Sequence, residues 1–225
     1  SIKKIIAGKT ELITFSKIIS FYIFFIQSIN LINTNLDHIL INYFIGTKSL
    51  TSYALASQLV MIVGFTLNAI NIFLAPTISK LFFNHNRNEL QKKLKLIAKI
   101  NLFSGLLCAG FILLFGKNIL SIYGIPVLES FNVVMILTIG SLFHVLCGSV
   151  TYLMIMTKIE KIAAILTGMS ALVNVAFNFL LIPKYGIVGC AISTTISVII
   201  FNISSTFFVI RKLDLNPTIF SLLNK

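Results

Sequence analysis

The chain has 225 residues, of which 57% are hydrophobic and only 11% charged, and its mean hydropathy is +0.98. A domain whose surface faces water usually carries about 25% charged residues, so an ordinary soluble fold is excluded and the bilayer is the natural solvent. The net charge of +12 would suggest nucleic acid in a soluble protein. Here the basic residues sit in the hydrophilic connections, where positive charge fixes membrane orientation, and no nucleic-acid partner is expected.

Residues 1–17 place Ile2, Ile5, Ile6 and Ile13 on one side and Lys3, Lys4 and Lys9 largely on another. This is the pattern of a cytoplasmic interfacial helix leading into the membrane, or of a frayed end left by truncation. No cleavage-site pattern follows, so the segment is not a signal peptide, and the opening Ser1 suggests a fragment or a processed chain. A first span is expected over 18–45; it holds no Lys or Arg beyond its edge and has a polar centre at Gln27, Asn30, Asn33, Thr34, Asn35, Asp37 and His38.

A second span over 50–74 is expected to kink or end at Ala75-Pro76, because proline lacks the backbone donor. Residues 79–99 are basic, with Leu90, Leu94 and Ile97 at helical spacing, and read as an amphipathic helix in or above the cytoplasmic interface. Further spans follow over 100–115, so short that its start is expected inside the preceding basic helix, and over 131–156, 162–182 and 187–210. The last two are joined by the tight turn Pro183-Lys184-Tyr185-Gly186, and a cytoplasmic tail covers 211–225. The expected fold is all-α: one six-helix transmembrane bundle over 18–210.

With six spans, 15 of the 18 Lys and Arg residues fall on one side, leaving Lys48, Lys117 and Lys184 on the other. The positive-inside bias then places both chain ends in the cytoplasm.

No nucleophile elbow, phosphate loop or metal-binding histidine pair occurs, and six acids in the whole chain leave little for catalysis. Neither a catalytic role nor a cofactor is expected. Cys108, Cys147 and Cys190 lie in apolar stretches with no metal spacing and are expected to be small buried residues, without disulfide or metal.

Asp37 is the one acid inside a span, and an ionisable group at that depth normally faces a cavity or a partner. Asn30, Asn33 and Asp37 share a helix face at spacings of three and four, while His38 points about 100° away. The face lines a water-filled interior, or it is a knot of interhelical hydrogen bonds. His144, between Gly140 and Gly148, and the pair Asn174 and Asn178, one turn apart, pose the same two alternatives. The small residues Gly186, Gly189 and Cys190 suit tight packing of the last hairpin. The basic stretch from Lys80 to Lys99 would meet anionic membrane lipids.

Four segments in order carry a family resemblance: LDHILINYFIG at 36–46, SYALASQLV at 52–60, LAPTISKLF at 74–82 and NVAFNFLLIPKYGIVGCAISTTIS at 174–197. They resemble the acidic helix end, the Tyr-x-x-Ala start, the Pro-x-Ile-Ser exit and the penultimate-helix signature of polysaccharide flippases. These belong to the multidrug/oligosaccharidyl-lipid/polysaccharide exporter superfamily. Cys190 stands where that family usually has a small alanine.

The resemblance implies the C-terminal half of a transporter of twelve or more helices, packed against its N-terminal half. It implies export of an undecaprenyl-diphosphate-linked oligosaccharide, such as an O-antigen or other lipopolysaccharide repeat unit, across a bacterial inner membrane. A cation-coupled multidrug antiporter and a lipid II flippase are the alternatives within the superfamily. The pathway residues expected are Asn30, Asn33, Asp37, His38, His144, Asn174 and Asn178. Cationic partners for the diphosphate would come from the other half or from Lys17 or Lys99.

Overall fold

A computed structural model describes residues 2–222, with side chains from 20 to 221, and the elements it contains are helical. They are α1 (Ile2–Ile45), α2 (Thr47–Phe83), α3 (Arg87–Ile122), α4 (Val127–Cys147), α5 (Val150–Met156) and α6 (Glu160–Leu213), followed by a 3-10 turn at Ile219–Leu222. Among the described residues α2, α3, α4 and α6 are each long and apolar enough to cross a membrane. The amphipathic lead-in expected over 1–17, Lys17 included, lies outside the described side chains.

Three expected boundaries differ from the structure. Pro76 sits inside α2 rather than ending it. Its ring is exposed, so the missing donor is accommodated on an outer face and the helix runs on to Phe83. The basic stretch after it is therefore no separate helix. It comprises the end of α2, the turn Asn84–Asn86 and the first turns of α3, which runs on unbroken into the apolar segment. Asn86 caps α3, accepting from the Glu89 amide at 3.3 Å and donating to the Glu89 carboxylate at 2.7 Å.

The segment expected as one span over 131–156 breaks between α4 and α5, where Gly148 takes φ 72° and ψ −149°. Only glycine reaches such a conformation without strain.

The 54 residues of α6 are not one rod. At Gly186 the backbone leaves helical geometry, with φ 62° and ψ −141°. Ser170 then donates to the Ser197 carbonyl at 3.0 Å and Asn174 to the Thr194 hydroxyl at 3.2 Å. In a straight helix those pairs would stand about 40 and 30 Å apart. The two arms of α6 therefore lie antiparallel, as the Pro183–Gly186 turn led one to expect.

The turns sort the bundle into two ends. At one end, which we call the glycine end, Gly186 adjoins Ile45 and Glu129, and Lys117 lies over the Phe131 ring. At the other, the basic end, Lys158 lies over Phe83, and Gln91 exchanges hydrogen bonds with Asn216. Lys80, Arg87, Lys92, Lys93, Lys99, Lys161, Arg211 and Lys212 all belong to elements that meet there.

The core is divided in the same sense. One apolar cluster, holding Ile41, Val60, Ile112, Val134 and Ile187, fills the glycine end. A second, holding Ile26, Ile78, Leu94, Leu153 and Val209, fills the basic end. Between them each long helix carries buried or cavity-facing polar residues: Asn33 and Asp37 on α1, Asn71 on α2, Asn101 on α3, Thr138 and His144 on α4, and Asn174, Asn178 and Asn202 on α6. The polar centre seen in the first span is thus one sector of a polar layer that crosses the whole bundle.

Candidate substrate cavity and buried carboxylate

A cavity of about 470 Å³ occupies the polar layer, walled by α1, α2, α4, α5 and α6. That volume lies within the usual range of small-molecule sites, roughly 300–1,000 Å³. Its wall is in greater part apolar, with Ile26, Val60, Leu137 and Phe201, and its polar part is made of amides and hydroxyls, among them Gln27, Asn30, Asn68, Ser141, Thr151 and Ser170. Among the described residues no Asp, Glu, Lys or Arg faces it, and His144 is the one titratable imidazole on the wall. Such a surface offers hydrogen bonds in both directions and no formal charge.

The seven residues singled out in the sequence fall into three groups. Asn30, Asn33 and His144 stand on the cavity wall. Asp37, Asn174 and Asn178 are buried together beside it, off the wall. His38 does neither: its ring packs edge-on against Tyr53, with centroids 6.2 Å apart.

The buried group forms a closed ring of hydrogen bonds. Asn178 donates one amide hydrogen to Asp37 Oδ1 at 2.5 Å and the other to Asn174 Oδ1 at 2.7 Å. Asn174 donates to Thr194 Oγ1 at 3.2 Å, and the Thr194 hydroxyl donates to Asp37 Oδ2 at 3.2 Å. Tyr53 OH stands 3.4 Å from Thr194 Oγ1. With the threonine hydrogen committed to Asp37, the tyrosine is the donor in that contact. The ring ties α1 to both arms of α6, and a carboxylate in so dry a place needs such donors. Thr194 belongs to the ring and to the cavity wall at once, so it is the one side chain of the ring that touches the cavity.

His144 is held by a second relay. Asn202 Nδ2 donates to the Val198 carbonyl at 2.8 Å, which turns Asn202 Oδ1 toward His144 Nδ1 at 3.0 Å. An amide oxygen only accepts, so Nδ1 carries the hydrogen and Nε2 keeps its lone pair.

Sequence reasoning did not find Thr194, Tyr53, Asn71, Asn101 or Asn202. Thr194 and Asn202 lie in a run dense in hydroxyls and amides, Ser193 to Thr206, whose content of small polar residues was a legible signal. Asn71 and Asn101 are single amides in apolar helices and carry no such local signal.

Comparison with known proteins agrees with this architecture. The chain is 26% identical over 188 residues to a protein of Staphylococcus aureus named capsular polysaccharide biosynthesis protein CapF. The match takes in 83% of this chain and 48% of that protein, so the chain spans about half the length of this relative. No solved structure matches. Residues 19–180, from α1 into the first arm of α6, match the MatE family, whose members are transporters, and the chain belongs to that family.

Proposed function

We propose that the chain is one six-helix bundle, the second, of an exporter that moves an undecaprenyl-diphosphate-linked oligosaccharide, an O-antigen or other polysaccharide repeat unit, across a bacterial cytoplasmic membrane by alternating access. The observation that carries this reading is the polar part of the cavity wall, where amides and hydroxyls face inward and, among the described residues, no formal charge does. A sugar presents many neutral donors and acceptors, and such a wall pairs with them. A cationic drug would call for an acid on the wall, and Asp37 lies off it, accepting a hydrogen bond at each oxygen within the ring.

The name of the staphylococcal relative, a capsular polysaccharide protein, points the same way. The basic end faces the cytoplasm by the positive-inside bias, so both chain ends lie there. Asn30, Asn33 and His144 touch the saccharide, while Asp37, Asn174 and Asn178 act from behind the wall through Thr194. The diphosphate would find its cations in the other half of the transporter or at Lys99.

The test is complementation. The full transporter that contains this chain is expressed in cells lacking their own O-antigen flippase, and surface polysaccharide is blotted. Restored surface glycan is the expected result. Absence of restoration, with the protein present in the membrane, would turn the reading toward the multidrug antiporter, which dye efflux would then reveal, or toward a lipid II flippase, which would prove essential for growth.

A further inference from the structure

The shortest α-helix among the described residues stands between two left-handed joints. α5 follows Gly148, at φ 72° and ψ −149°, and is followed by Lys158, at φ 66°. Glycine takes its conformation freely, whereas a lysine at positive φ is strained. At the first joint the Val150 amide turns to the Gly148 carbonyl at 2.9 Å, so the helical ladder of α4 does not run on into α5. Strain of this kind persists only where the surroundings hold it, and it gathers at segments that switch.

α5 forms the floor of the cavity at the basic end. α1 and α2 meet at Gly46, and about two turns from it His38 still packs on Tyr53. Farther from that turn Gln27 and Asn30 of α1 and Gly64 and Asn68 of α2 stand on the walls of one cavity. At the basic end α5 packs against α1, α2 and α6. Ile26 of α1, Leu74 and Ile78 of α2, and Leu153, Met154 and Ile155 of α5 are buried in a single apolar cluster there. Thr151, Tyr152, Ile155 and Met156 belong to the cavity wall, while the Thr157–Lys158 turn lies at the basic end.

The chain after α6 is packed on the first joint. A Cβ on Gly148 would stand 2.5 Å from the Pro217 carbonyl oxygen. Leu213 and Leu215 are buried in the same cluster as Val150 and Leu153. Gln91 of α3 holds Asn216 by two hydrogen bonds, at 2.7 and 2.8 Å. Two part-buried hydrogen bonds and an apolar seat can be released locally, without unfolding the long helices.

We propose that α5 is a gate at the basic end of the cavity, swinging on Gly148 and Lys158, and that the segment 214–221 is its latch. When the segment lifts from Gly148 the first joint is freed, α5 tilts away from α1 and α2, and the cavity meets water on the basic side. This rests on the transport reading above and not on the identity of the cargo. Alternating access needs one barrier to open while another stays shut, and the apolar cluster at the glycine end supplies the second.

The test reads the floor by thiol chemistry. Ile155→Cys, with Met154→Cys as a second variant, is made in the full transporter, and inside-out membrane vesicles are treated with a membrane-impermeant maleimide. The transporter without the added cysteine gives the background from its native thiols. Ile155 and Met154 are buried, so modification requires the floor to open. Labelling is expected, and Gln91→Leu is expected to speed it about fivefold or more, the factor that loss of one part-buried hydrogen bond gives. Ile112→Cys, in the glycine-end cluster, is expected to label at a rate that Gln91→Leu leaves unchanged. No labelling at either floor position, with or without Gln91→Leu, would overturn the gate. So would equal acceleration at Ile112→Cys, which would mean a general loosening of the bundle. Complementation scores the cargo separately. A floor that opens in a transporter restoring no surface glycan sinks the saccharide reading and leaves the gate standing, whereas restored glycan with a floor that never opens sinks the gate alone.

Discussion

Asn178 reaches across 141 residues of sequence to donate to Asp37 at 2.5 Å, and its second amide hydrogen goes to Asn174. One carboxamide thereby fixes α1 against α6, and the bond is reinforced at Asp37 Oδ2 by Thr194 from the other arm of the hairpin. Removing the carboxylate strands donors on both arms. Asp37→Leu is expected to cost about 2–6 kcal/mol, from two buried groups left unpaired. Asp37→Asn keeps an acceptor for Asn178, and the Thr194 hydroxyl can rotate, so it is expected to cost less than half as much. The buried thiols of Cys147 and Cys190 permit the measurement, because a thiol-reactive fluorophore reports their exposure on heating. Equal unfolding temperatures for the two variants would show that the ring does not hold the helices.

The hairpin in α6 depends on two glycines for different reasons. Gly186 needs its positive φ of 62°, and alanine there is expected to cost about 1–3 kcal/mol in backbone strain. Gly189 is helical, but a Cβ on it would run into the backbone carbonyl of Leu181 in the opposite arm. Backbone cannot turn aside as a side chain can, so Gly189→Ala must push the arms apart. It is expected to be the more damaging of the two, with lower membrane yield and earlier thiol exposure. The reverse order would mean that the arms are less closely packed than Gly189 and Leu181 indicate.

Much of this was legible in the sequence because hydropathy and turn residues are local signals. The Pro183–Gly186 hairpin, the polar centre of the first span and the basic connections could all be read directly. Pro76 misled because a proline's effect depends on which side of the helix it occupies, and that is fixed by the neighbours. The break at Gly148 was hidden for a related reason: a glycine in an apolar run also suits close helix packing, and positive φ is chosen by tertiary contact. Asp37 was recognisable as important, and the asparagines of the fifth span were noticed separately. That they meet follows from the hairpin and from the packing of α1 on α6, which are long-range facts. Asn71 is further still from legibility, since a lone amide in an apolar helix gains its place on the cavity wall only from the packing around it.

The Val198–Asn202–His144 relay makes a spectroscopic expectation. Neutral histidine in water favours the Nε2–H form, whereas the geometry here requires hydrogen on Nδ1. In protein labelled with ¹⁵N-histidine, one of the three histidines is expected to show a protonated Nδ1 and a bare Nε2, assigned by its loss in His144→Gln. In Asn202→Leu the acceptor is gone and the signal should revert to the common form. An Nε2–H signal for His144 in the unaltered protein would reverse the relay and present a donor to the cavity in place of an acceptor.

The chain beyond α6 is expected to act as a strap on the joint between α4 and α5. Gln91 donates to the Asn216 carbonyl at 2.7 Å and accepts from its amide at 2.8 Å. Asn216 in turn holds Thr218 through its side chain at 2.7 Å. Leu213, Leu215, Pro217 and Thr218 are buried as a result, and a Cβ on Gly148 would stand 2.5 Å from the Pro217 carbonyl oxygen. Gln91→Leu removes both bonds to Asn216 and should loosen the strap, at a cost of about 1–2 kcal/mol for partly buried groups. Gly148→Ala should loosen it from the other side, and it adds strain at a φ of 72°. Limited trypsin digestion of the transporter in nanodiscs reads the effect at the exposed Arg211 and Lys212, because cleavage there requires the end of α6 and the strap to open. Both variants are expected to be cut faster than the unaltered protein. The double variant should gain less than the two single effects combined, since each acts by releasing the same segment. Full additivity would show that Gln91 and Gly148 hold separate parts of the basic end, and unchanged cleavage in both would show that the strap does not guard it.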